Sequence, residues 1–373
     1  MTKMSNNQAT FLEVNLNYLK NNFNFLRSKI SSQTKLLVVL KAYAYGSNPV
    51  KVAQFFDNLK VDYFAVAYFT EAIKLVDSGI KTPILIFHPQ PNNFKHIINN
   101  FLIPTIYSIN NLKLFKKSLV DLGIDNYPVH IKINTGLNRI GFDKNQINSL
   151  INNIANDNLI KIVGVYSHLA ASEDLKEFTF STQQINCFIE ISKKISSKLN
   201  CDPILHICNT SGILNFPKAH FNMVRTGIGV YGFSNGLNNT TNLSPVISLK
   251  SSISQIHKIK KGESIGYNRA FIAKKDITSA TIPLGHADGI SRIYGNGKGF
   301  VFINNSKAFI LGNVCMDMIM VDITNIDCSE GDQVIIFDSF HTAEKLAESA
   351  GTISYELLTA LSQRIERKYI NIN

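Results

Sequence analysis

The sequence has little of what marks secreted, membrane-spanning or zinc-stabilised proteins. Its 373 residues contain five cysteines and no Cys-x-x-Cys pair, which argues against a disulfide framework and against a structural zinc site. No stretch reaches the roughly 18 apolar residues of a membrane span, and residues 1–10 lack the apolar core of a signal peptide. We therefore expect a cytoplasmic protein with reduced thiols, without a bound metal or a membrane partner.

Acidic residues are scarce relative to basic ones. The chain has 38 Lys and Arg against 27 Asp and Glu, which gives a net charge of +11. The lysines are spread along the chain, and neither a basic tail nor a nucleic-acid-binding motif is present. An anionic cofactor or substrate therefore explains the charge more simply than a nucleic-acid partner does. A hydrophobic content of 45% is typical of a globular enzyme, and the length allows two domains.

The first two thirds of the chain alternate short apolar runs with helical periodicity, as in residues 112–122 and 188–199. Strands that alternate with helices predict a parallel sheet. Eight such units in this length favour a (β/α)8 TIM-like barrel, with a doubly wound open sheet as the alternative. The predicted strands are Leu36–Leu40, Tyr63–Tyr68, Pro83–Phe87, Ile103–Tyr107, Val129–Asn134, Ile162–Ser167, Ile204–Cys208 and Met223–Arg225.

The pattern changes near Leu243, where strands with alternating hydrophobicity begin. They predict a second, mostly β domain at residues 243–373, after a barrel domain at residues 14–242. Two helices are expected near its end, at about His341–Ala350 and Ser354–Lys368. The predicted strands of this domain are Val246–Leu249, Ile253–His257, Ala280–Leu284, Phe300–Ile303 and Met318–Val321.

Lys41 directly follows the apolar run Leu36–Leu40, which is typical of a strand buried on both faces. An ammonium at the rim of a dry pocket is poorly solvated, so its pKa falls and the free amine becomes a nucleophile. A Schiff base with pyridoxal phosphate (PLP) requires such an amine. The ordinary alternative is a lysine that ends a strand in solvent.

Further polar residues follow the ends of the predicted barrel strands, where barrel enzymes carry their active sites. Thr210 and the segment Gly227–Gly229 follow strands seven and eight, whose loops often bind phosphate. Lys132 is expected in or near the barrel interior, where an unpaired ammonium is costly, and Arg139 cannot supply the missing negative charge. The remaining candidates at these strand ends are Tyr45, His168, Asn209 and Arg225.

Each candidate also has a purely structural explanation. His168 suits a core histidine, Arg225 an ion-pair partner, and Tyr267 the packing of a turn, while the segment Cys315–Asp317 suits a strand interior. The match of Gly227–Gly232 to GxGxxG is not taken as a dinucleotide motif, because no βαβ unit with a suitably spaced acidic residue follows it. The candidates favour a catalytic site only in combination.

Short motifs run in order along essentially the whole chain. They are Lys41–Gly46 (KAYAYG), Thr135–Arg139, Tyr166–His168, Asn209–Thr210, Arg225–Ile228, Tyr231–Gly232, Gly262–Tyr267, Ala287–Gly289, Val314–Asp317 and Thr352–Glu356. Together they resemble the motifs of the alanine racemase family of PLP-dependent barrel enzymes. The resemblance implies an isomerase that interconverts L-alanine and D-alanine, which supplies D-alanine for peptidoglycan.

The resemblance also implies a homodimer in which each site combines one subunit's barrel with the other's β domain. Residues 1–13, with a strand at about Thr10–Leu16, would pack with the C-terminal domain. Lys41 would carry the cofactor and act as one base, and Tyr267 from the partner would be the opposite base. The side chain of Arg139 and the amide of Met316 would bind the substrate carboxylate.

The cofactor contacts carried over from the family begin with Arg225, which would face the pyridine nitrogen and be oriented by His168. Arg139 would also reach the ring oxygen. The lysine that matches Lys132 is often carbamylated in the family, which would supply the missing negative charge. The remaining cofactor residues would be Tyr45, Asn209, Thr210, Gly227, Ile228 and Tyr355, most of them at the phosphate.

The chain departs from the family pattern at four positions. Asn134 replaces an aspartate, Thr210 a serine and Thr226 a proline. His286 stands where the family has a tyrosine that helps to line the substrate channel. Asp317 lies beside Met316 and would support it. The width of the channel and its pH dependence therefore depend on His286.

Other activities remain as alternatives. A broad-specificity or serine racemase would share the same motifs. An amino-acid decarboxylase of this fold places a carboxylate at the ring nitrogen, and Arg225 argues against it. A non-enzymatic PLP-binding barrel protein would lack the second domain.

Overall fold

The computed structural model describes residues 8–155, 157–234 and 242–370. This part of the chain begins with β1 (Phe11–Asn15) and α1 (Leu16–Ser28), and Asn15 caps the helix by accepting a hydrogen bond from the Tyr18 amide (3.1 Å). Strands and helices then alternate. Among the described residues, no helix has the length and apolar character that would let it cross a bilayer.

Eight parallel strands form the predicted barrel, in the order β8-β7-β6-β5-β4-β3-β2-β9. The two outer strands of this order, β8 and β9, lie side by side, and the Arg225 amide donates to the Cys208 carbonyl (3.1 Å), so the sheet nearly closes. The barrel is confirmed, and the open sheet is excluded. The strands are β2 (Lys35–Val39), β3 (Tyr63–Val66), β4 (Ile84–Ile86), β5 (Ile103–Ile106), β6 (Tyr127–Lys132), β7 (Ile160–Tyr166), β8 (Ile204–His206) and β9 (Met223–Thr226).

Helices cover the outside of the barrel and pack their apolar stripes against it. The α6 helix shows typical ends: Ser108 accepts a hydrogen bond from the Asn111 amide (3.1 Å), and Gly123 closes the helix with a positive φ of 66°. The helices of this domain are α3 (Pro49–Asn58), α4 (Phe69–Asp77), α5 (Phe94–Asn99), α6 (Ile109–Leu122), α7 (Ile147–Ala155), α8 (Phe178–Leu199) and α9 (Thr210–Asn215). The short segment α2 (Lys41–Tyr45) has left-handed backbone angles and is described with the site.

The C-terminal part forms a nine-stranded sheet in the order β11-β14-β17-β16-β15-β18-β10-β1-β19, and a separate pair, β12 and β13. The mostly β second domain is thereby confirmed. In this sheet β1 pairs antiparallel with β10 and parallel with β19. The strands are β10 (Ile247–Ser252), β11 (Gln255–Ile259), β12 (Ser264–Ile265), β13 (Phe271–Ile272), β14 (Ile277–Ile282), β15 (Phe300–Ile303), β16 (Ser306–Leu311), β17 (Ile319–Asp322), β18 (Gln333–Phe337) and β19 (Glu366–Ile370).

The helix expected at Ser354–Lys368 is wrong in its second half. After α10 (Ala343–Ser349), the next helix α11 (Ser354–Ala360) ends early, and Glu366–Ile370 is the edge strand β19. Pairing with β1 decides this conformation, since local propensity is weaker than a continuous ladder of tertiary hydrogen bonds. The sequence pattern also does not predict strands β12, β13, β16 and β18.

Candidate active site

Lys41 lies at the carboxyl end of β2, at the mouth of the barrel. The preceding residue, Leu40, is fully buried, and its amide donates to the Ala65 carbonyl on β3 (2.8 Å). Burial lowers the pKa of the Lys41 ammonium, the positive charge of Arg139 lowers it further, and Glu71 opposes both effects. The structure therefore gives Lys41 the depressed pKa that a nucleophilic amine needs.

The residues after Lys41 form a left-handed turn. The φ angles across Ala42–Tyr45 are 53°, 56°, 52° and 53°, and Gly46 follows with a φ of 87°. Left-handed geometry costs about 1–2 kcal/mol for each residue that has a Cβ atom. A carboxylate from α4 holds the start of the turn, because Glu71 Oε1 accepts from the Ala42 amide (2.7 Å). Such strained segments persist only where the surroundings fix them, which is common at functional sites.

Arg225, on β9, is buried and donates only to neutral acceptors. Its Nη1 donates to His206 Nδ1 (2.9 Å), and its Nη2 donates to His168 Nδ1 (3.1 Å) and to the Ser167 and Ile207 carbonyls (2.8 and 3.2 Å). Burial, as the largest cause, lowers the pKa of Arg225 to about 10. Among the described residues, no carboxylate bonds to this guanidinium. Its positive charge is therefore uncompensated within the barrel.

A second histidine lies behind His206. Arginine can only donate, so Nδ1 of His206 carries no proton and its Nε2–H donates to His130 Nδ1 (3.0 Å). His130 then carries its own proton on Nε2, which has no hydrogen-bond partner among the described residues. Burial and the charge of Arg225 lower the pKa of His130 to about 3 and hold the pKa of His206 well below its usual value. The sequence analysis missed both histidines, although they are polar residues within strands otherwise predicted to be apolar.

Lys132, at the end of β6, is a second buried cation of the site. It is 4% exposed, its ammonium donates to the Ile133 carbonyl (3.1 Å), and it lies 5.1 Å from the centre of the Tyr166 ring. Burial, then Arg225 and Arg139, hold its pKa well below the usual value. No carboxylate of the described residues bonds to it, so the negative charge that the sequence analysis expects this lysine to need stays a prediction.

The loop after β9 and the turn after β2 form a narrow cradle. A Cβ atom on Gly227 would lie 2.2 Å from Tyr45 Oη, so only glycine fits there. Thr210 Oγ1 accepts from the Gly229 amide (3.2 Å), and the ring of Tyr355 on α11 lies 6.0 Å from that of Tyr45. These side chains, predicted to hold one phosphate, therefore lie close together.

Three other predicted cofactor residues take different positions. Ile228 is buried beside Gly227. The side-chain oxygen of Asn209 caps α9 by accepting from the Gly212 amide (2.9 Å) and also accepts from the Ser172 hydroxyl (2.8 Å), so it shapes the loop that carries Thr210. Arg139 is exposed after β6, close enough to Lys41 to affect its pKa.

Tyr267 and Met316 form an exposed surface on the β domain. Their exposed fractions are 69% and 59%, and Asn313 connects the two loops by donating to the Tyr267 carbonyl (3.2 Å). The amide of His286 donates to the Cys315 carbonyl (2.9 Å), so His286 adjoins this surface. Within the described ranges, no hydrogen bond or ring contact joins Tyr267 to Lys41. The two predicted bases are thus not brought together within one chain.

Asp317 is held by an arginine that the sequence analysis did not identify. Arg364 donates to Asp317 Oδ1 (2.7 Å) and makes a two-pronged contact with the buried Asp288 (2.7 and 2.9 Å). Asp317 is half exposed, so the alternative of a buried strand-interior aspartate is wrong. Arg364 fixes the loop that carries Met316.

These features define a barrel enzyme with a desolvated lysine, a buried arginine and a cradle suited to an anion. A family model described as "Alanine racemase, N-terminal domain" matches residues 14–235, and one described as "Alanine racemase, C-terminal domain" matches residues 246–369. The chain belongs to the alanine racemase family. The resemblance and the enzyme class expected from the motifs are confirmed.

Individual relatives agree with this assignment over nearly their whole length. An alanine racemase of Helicobacter pylori (strain Shi470) is 35% identical, covering 97% of this chain and 99% of its own. The structure of alanine racemase from Clostridium difficile 630 superposes with a TM-score of 0.89 at 34% identity, covering 98% and 96% of the two chains. Alanine racemase from Bartonella henselae, described with covalently bound pyridoxal phosphate, has a TM-score of 0.87 at 27% identity over 97% and 99%.

Proposed function

We propose that the protein is a PLP-dependent alanine racemase that interconverts L-alanine and D-alanine and supplies D-alanine for peptidoglycan in the cytoplasm. The observation that carries the proposal is the pairing of a lysine of lowered pKa with an arginine held by neutral partners at one barrel mouth. The family membership of the chain supports the same activity.

The residues present fit PLP. Lys41 offers the amine for its aldehyde, and Arg225 offers a buried cation for its ring nitrogen. Tyr45, Thr210 and the backbone around Gly227 offer donors in a space that a Cβ atom would fill. We propose that Ile228, Asn209 and Tyr355 complete or support this pocket, and that His168 orients Arg225.

Bound PLP supplies an electron sink that makes the Cα–H bond of an amino acid acidic. The chain's own groups must then move the proton. Lys41 Nζ, whose lowered pKa leaves it neutral more readily, can accept a proton on one face of Cα and return it. The hydroxyl of the partner subunit's Tyr267 would do the same on the other face, so the amino acid need not turn over.

Arg225 restrains the reaction. A guanidinium with a pKa of about 10 stays charged at neutral pH, and it does not hand its proton to the pyridine nitrogen. With PLP bound, Arg225 would leave the pyridine nitrogen unprotonated, which would make the cofactor a weaker electron sink and limit side reactions. A decarboxylase with a carboxylate at this position would work in the opposite way.

The substrate carboxylate would be bound by Arg139 and by the Met316 amide, the latter from the partner. We propose that Lys132 carries a carbamate, because a buried lysine without an anionic partner needs a negative charge beside Arg139. Asp317 would fix the Met316 loop, and His286 would line the substrate channel.

We further propose a homodimer. Tyr267 and Met316 are exposed on the β domain, as are the apolar side chains of Ile272, Ile293 and Met318, and exposed apolar side chains of this size favour a protein partner. The proposed division of the chain is a barrel at residues 14–242, a β domain at 243–373, and an N-terminal segment at 1–13. The strand β1 (Phe11–Asn15), which begins in this segment, joins the β domain through β10 and β19.

Chiral chromatography of the purified protein with a panel of L-amino acids tests the activity. We expect conversion of L-alanine to D-alanine, and borohydride should fix the cofactor on Lys41. Faster conversion of serine or of many amino acids would favour the broad-specificity or serine racemase, with His286 as the residue to examine. Absence of any conversion in PLP-loaded protein would contradict the proposal.

A further inference from the structure

The left-handed turn after Lys41 needs support at both of its ends. The α4 residue Glu71 holds the amide of Ala42 at the start of the turn. At the other end of the turn are the Gly46 and Ser47 carbonyls. Both of them accept hydrogen bonds from residues more than 300 positions further along the chain.

The donors lie on β19, the last described strand. Arg367 Nε donates to the Gly46 carbonyl (3.0 Å), and its guanidinium lies 5.2 Å from the centre of the Tyr43 ring. The Tyr369 hydroxyl donates to the Ser47 carbonyl (2.9 Å). Each residue thus contacts the turn through a side chain whose position is set by the strand.

The strand is itself well anchored, so it can act as a fixed support. It pairs along its length with β1, from Phe11 opposite Glu366 to Asn15 opposite Ile370. The guanidinium of Arg367 also donates to the Ser362 and Leu361 carbonyls (2.6 and 3.3 Å), which ties it to the segment after α11. A forked guanidinium with several acceptors has little freedom to move.

We propose that Arg367 and Tyr369 are positioning residues that hold the left-handed turn and thereby aim Lys41 and Tyr45 at the cofactor. The C-terminal domain would in this way determine the geometry of its own chain's barrel site. The functional part of this inference rests on the proposed PLP chemistry of Lys41. The mechanical part, that β19 fixes the turn, does not.

Hydrogen–deuterium exchange of the purified full-length chain tests the mechanical part directly. The amides of Ala44, Gly46 and Ser47 are bonded within the turn, to the Leu40, Ala42 and Ala44 carbonyls. In Tyr369→Phe, which removes one hydroxyl, their exchange should rise about 2- to 10-fold. In Arg367→Lys, which keeps the charge but loses the fork, the rise should be about 10- to 100-fold.

Lys368→Ala is the matched control on the same strand. Its ammonium lies 4.0 Å from the centre of the Phe11 ring and 3.8 Å from Glu366 Oε2. No hydrogen bond, ion pair or ring contact among the described residues joins it to the turn, so exchange at residues 44–47 should stay unchanged. If Arg367→Lys does not fold, the exchange of the turn amides in Tyr369→Phe is sufficient to test the inference. Unchanged exchange of the turn in folded Tyr369→Phe, or an equal rise throughout the barrel, would overturn the inference.

Measurements of racemase activity distinguish a failure of this inference from a failure of the proposed function. If Lys41 is aimed through the turn, Tyr369→Phe should lower kcat for L-alanine more than it raises KM, and Lys368→Ala should change neither. If Tyr369→Phe shows the local rise in exchange but the native protein does not racemise alanine, the proposed function is overturned. The inference that β19 supports the turn would then still stand. If exchange at the turn rises in Tyr369→Phe but its kcat is unchanged, the proposal that the turn positions Lys41 for catalysis is overturned.

Discussion

Arg225 keeps its place only while its imidazole partners are neutral. His206 and His168 accept its hydrogen bonds through unprotonated Nδ1 atoms, and His130 accepts the next bond in the chain. Burial is the first cause that lowers the pKa of all three histidines. A proton added to either partner of Arg225 would replace an acceptor by a donor and place a second charge beside a buried cation.

This arrangement predicts how stability depends on pH. The unfolded chain binds a proton on each histidine below about pH 6.5, whereas the folded chain does not until much lower pH, about 3 for His130. The unfolded state therefore binds more protons in this window, and stability falls as the pH falls, by about 1.4 kcal/mol per pH unit for each histidine. Urea denaturation between pH 7 and 5 measures the slope.

The variant His130→Phe removes one of the three histidines that bind a proton only in the unfolded chain. Its free energy of unfolding should fall less steeply below pH 6.5, by about 1.4 kcal/mol per pH unit. An unchanged slope would show that His130 is protonated in the folded protein.

The hydroxyl of Tyr267 has a separate test. Tyr267→Phe should lose about 10²- to 10⁴-fold in racemisation, because one face of Cα then has no proton carrier, while PLP stays bound. Chiral chromatography and the absorbance of bound cofactor measure the two effects. Tyr68→Phe, at another exposed tyrosine, is the control. Near-native activity of Tyr267→Phe would remove this residue from the mechanism.

Functional residues can be predicted from the sequence where a charged residue directly follows or ends an apolar run. Lys41 and Arg225 end or close buried strands, so their chemistry stands out, and the structure places both at the barrel mouth. His130 and His206 lie on strands that are mostly apolar, where a single histidine also suits a packed core. Only the three-dimensional contact with Arg225 distinguishes the two explanations.

At the scale of elements, the barrel could be predicted because eight strand–helix units repeat one pattern. The left-handed turn could not, since nothing in Ala42–Tyr45 favours positive φ angles. The sequence predicts a helix where the structure has the edge strand β19 for a related reason. Both segments obtain their conformation from distant partners, the turn from Arg367 and Tyr369 and the strand from β1.

The loop after β9 gives a prediction at this scale. Gly227→Ala would bring a Cβ atom to 2.2 Å from Tyr45 Oη, so the phosphate cradle must open. We expect most PLP to be lost from the purified variant, measured by cofactor absorbance. Gly79→Ala is the control, because its Cβ would meet nothing within 4 Å and only its φ of 87° is strained. Full PLP occupancy in Gly227→Ala would contradict the cradle.

At the scale of the whole molecule, the residues of the proposed site lie on two separate parts of one chain. Lys41, Arg225 and Tyr45 gather at the barrel mouth, whereas Tyr267 and Met316 are exposed on the β domain. The resemblance to the family implies that Tyr267 and Met316 lie apart from Lys41. The hydrophobic pattern of the sequence does not, because it does not show which side chains are exposed on the folded chain. The central claim is therefore that two chains share each site.

Mixing two inactive variants tests this claim most directly. In a dimer of Lys41→Ala with Tyr267→Phe, one site carries both lesions and the other carries neither. Random exchange of equal amounts gives about half mixed dimers, each with one working site of two, so about a quarter of the native activity should return. Exchange demonstrated by native mass spectrometry without recovered activity would contradict the shared site and place both bases in one chain.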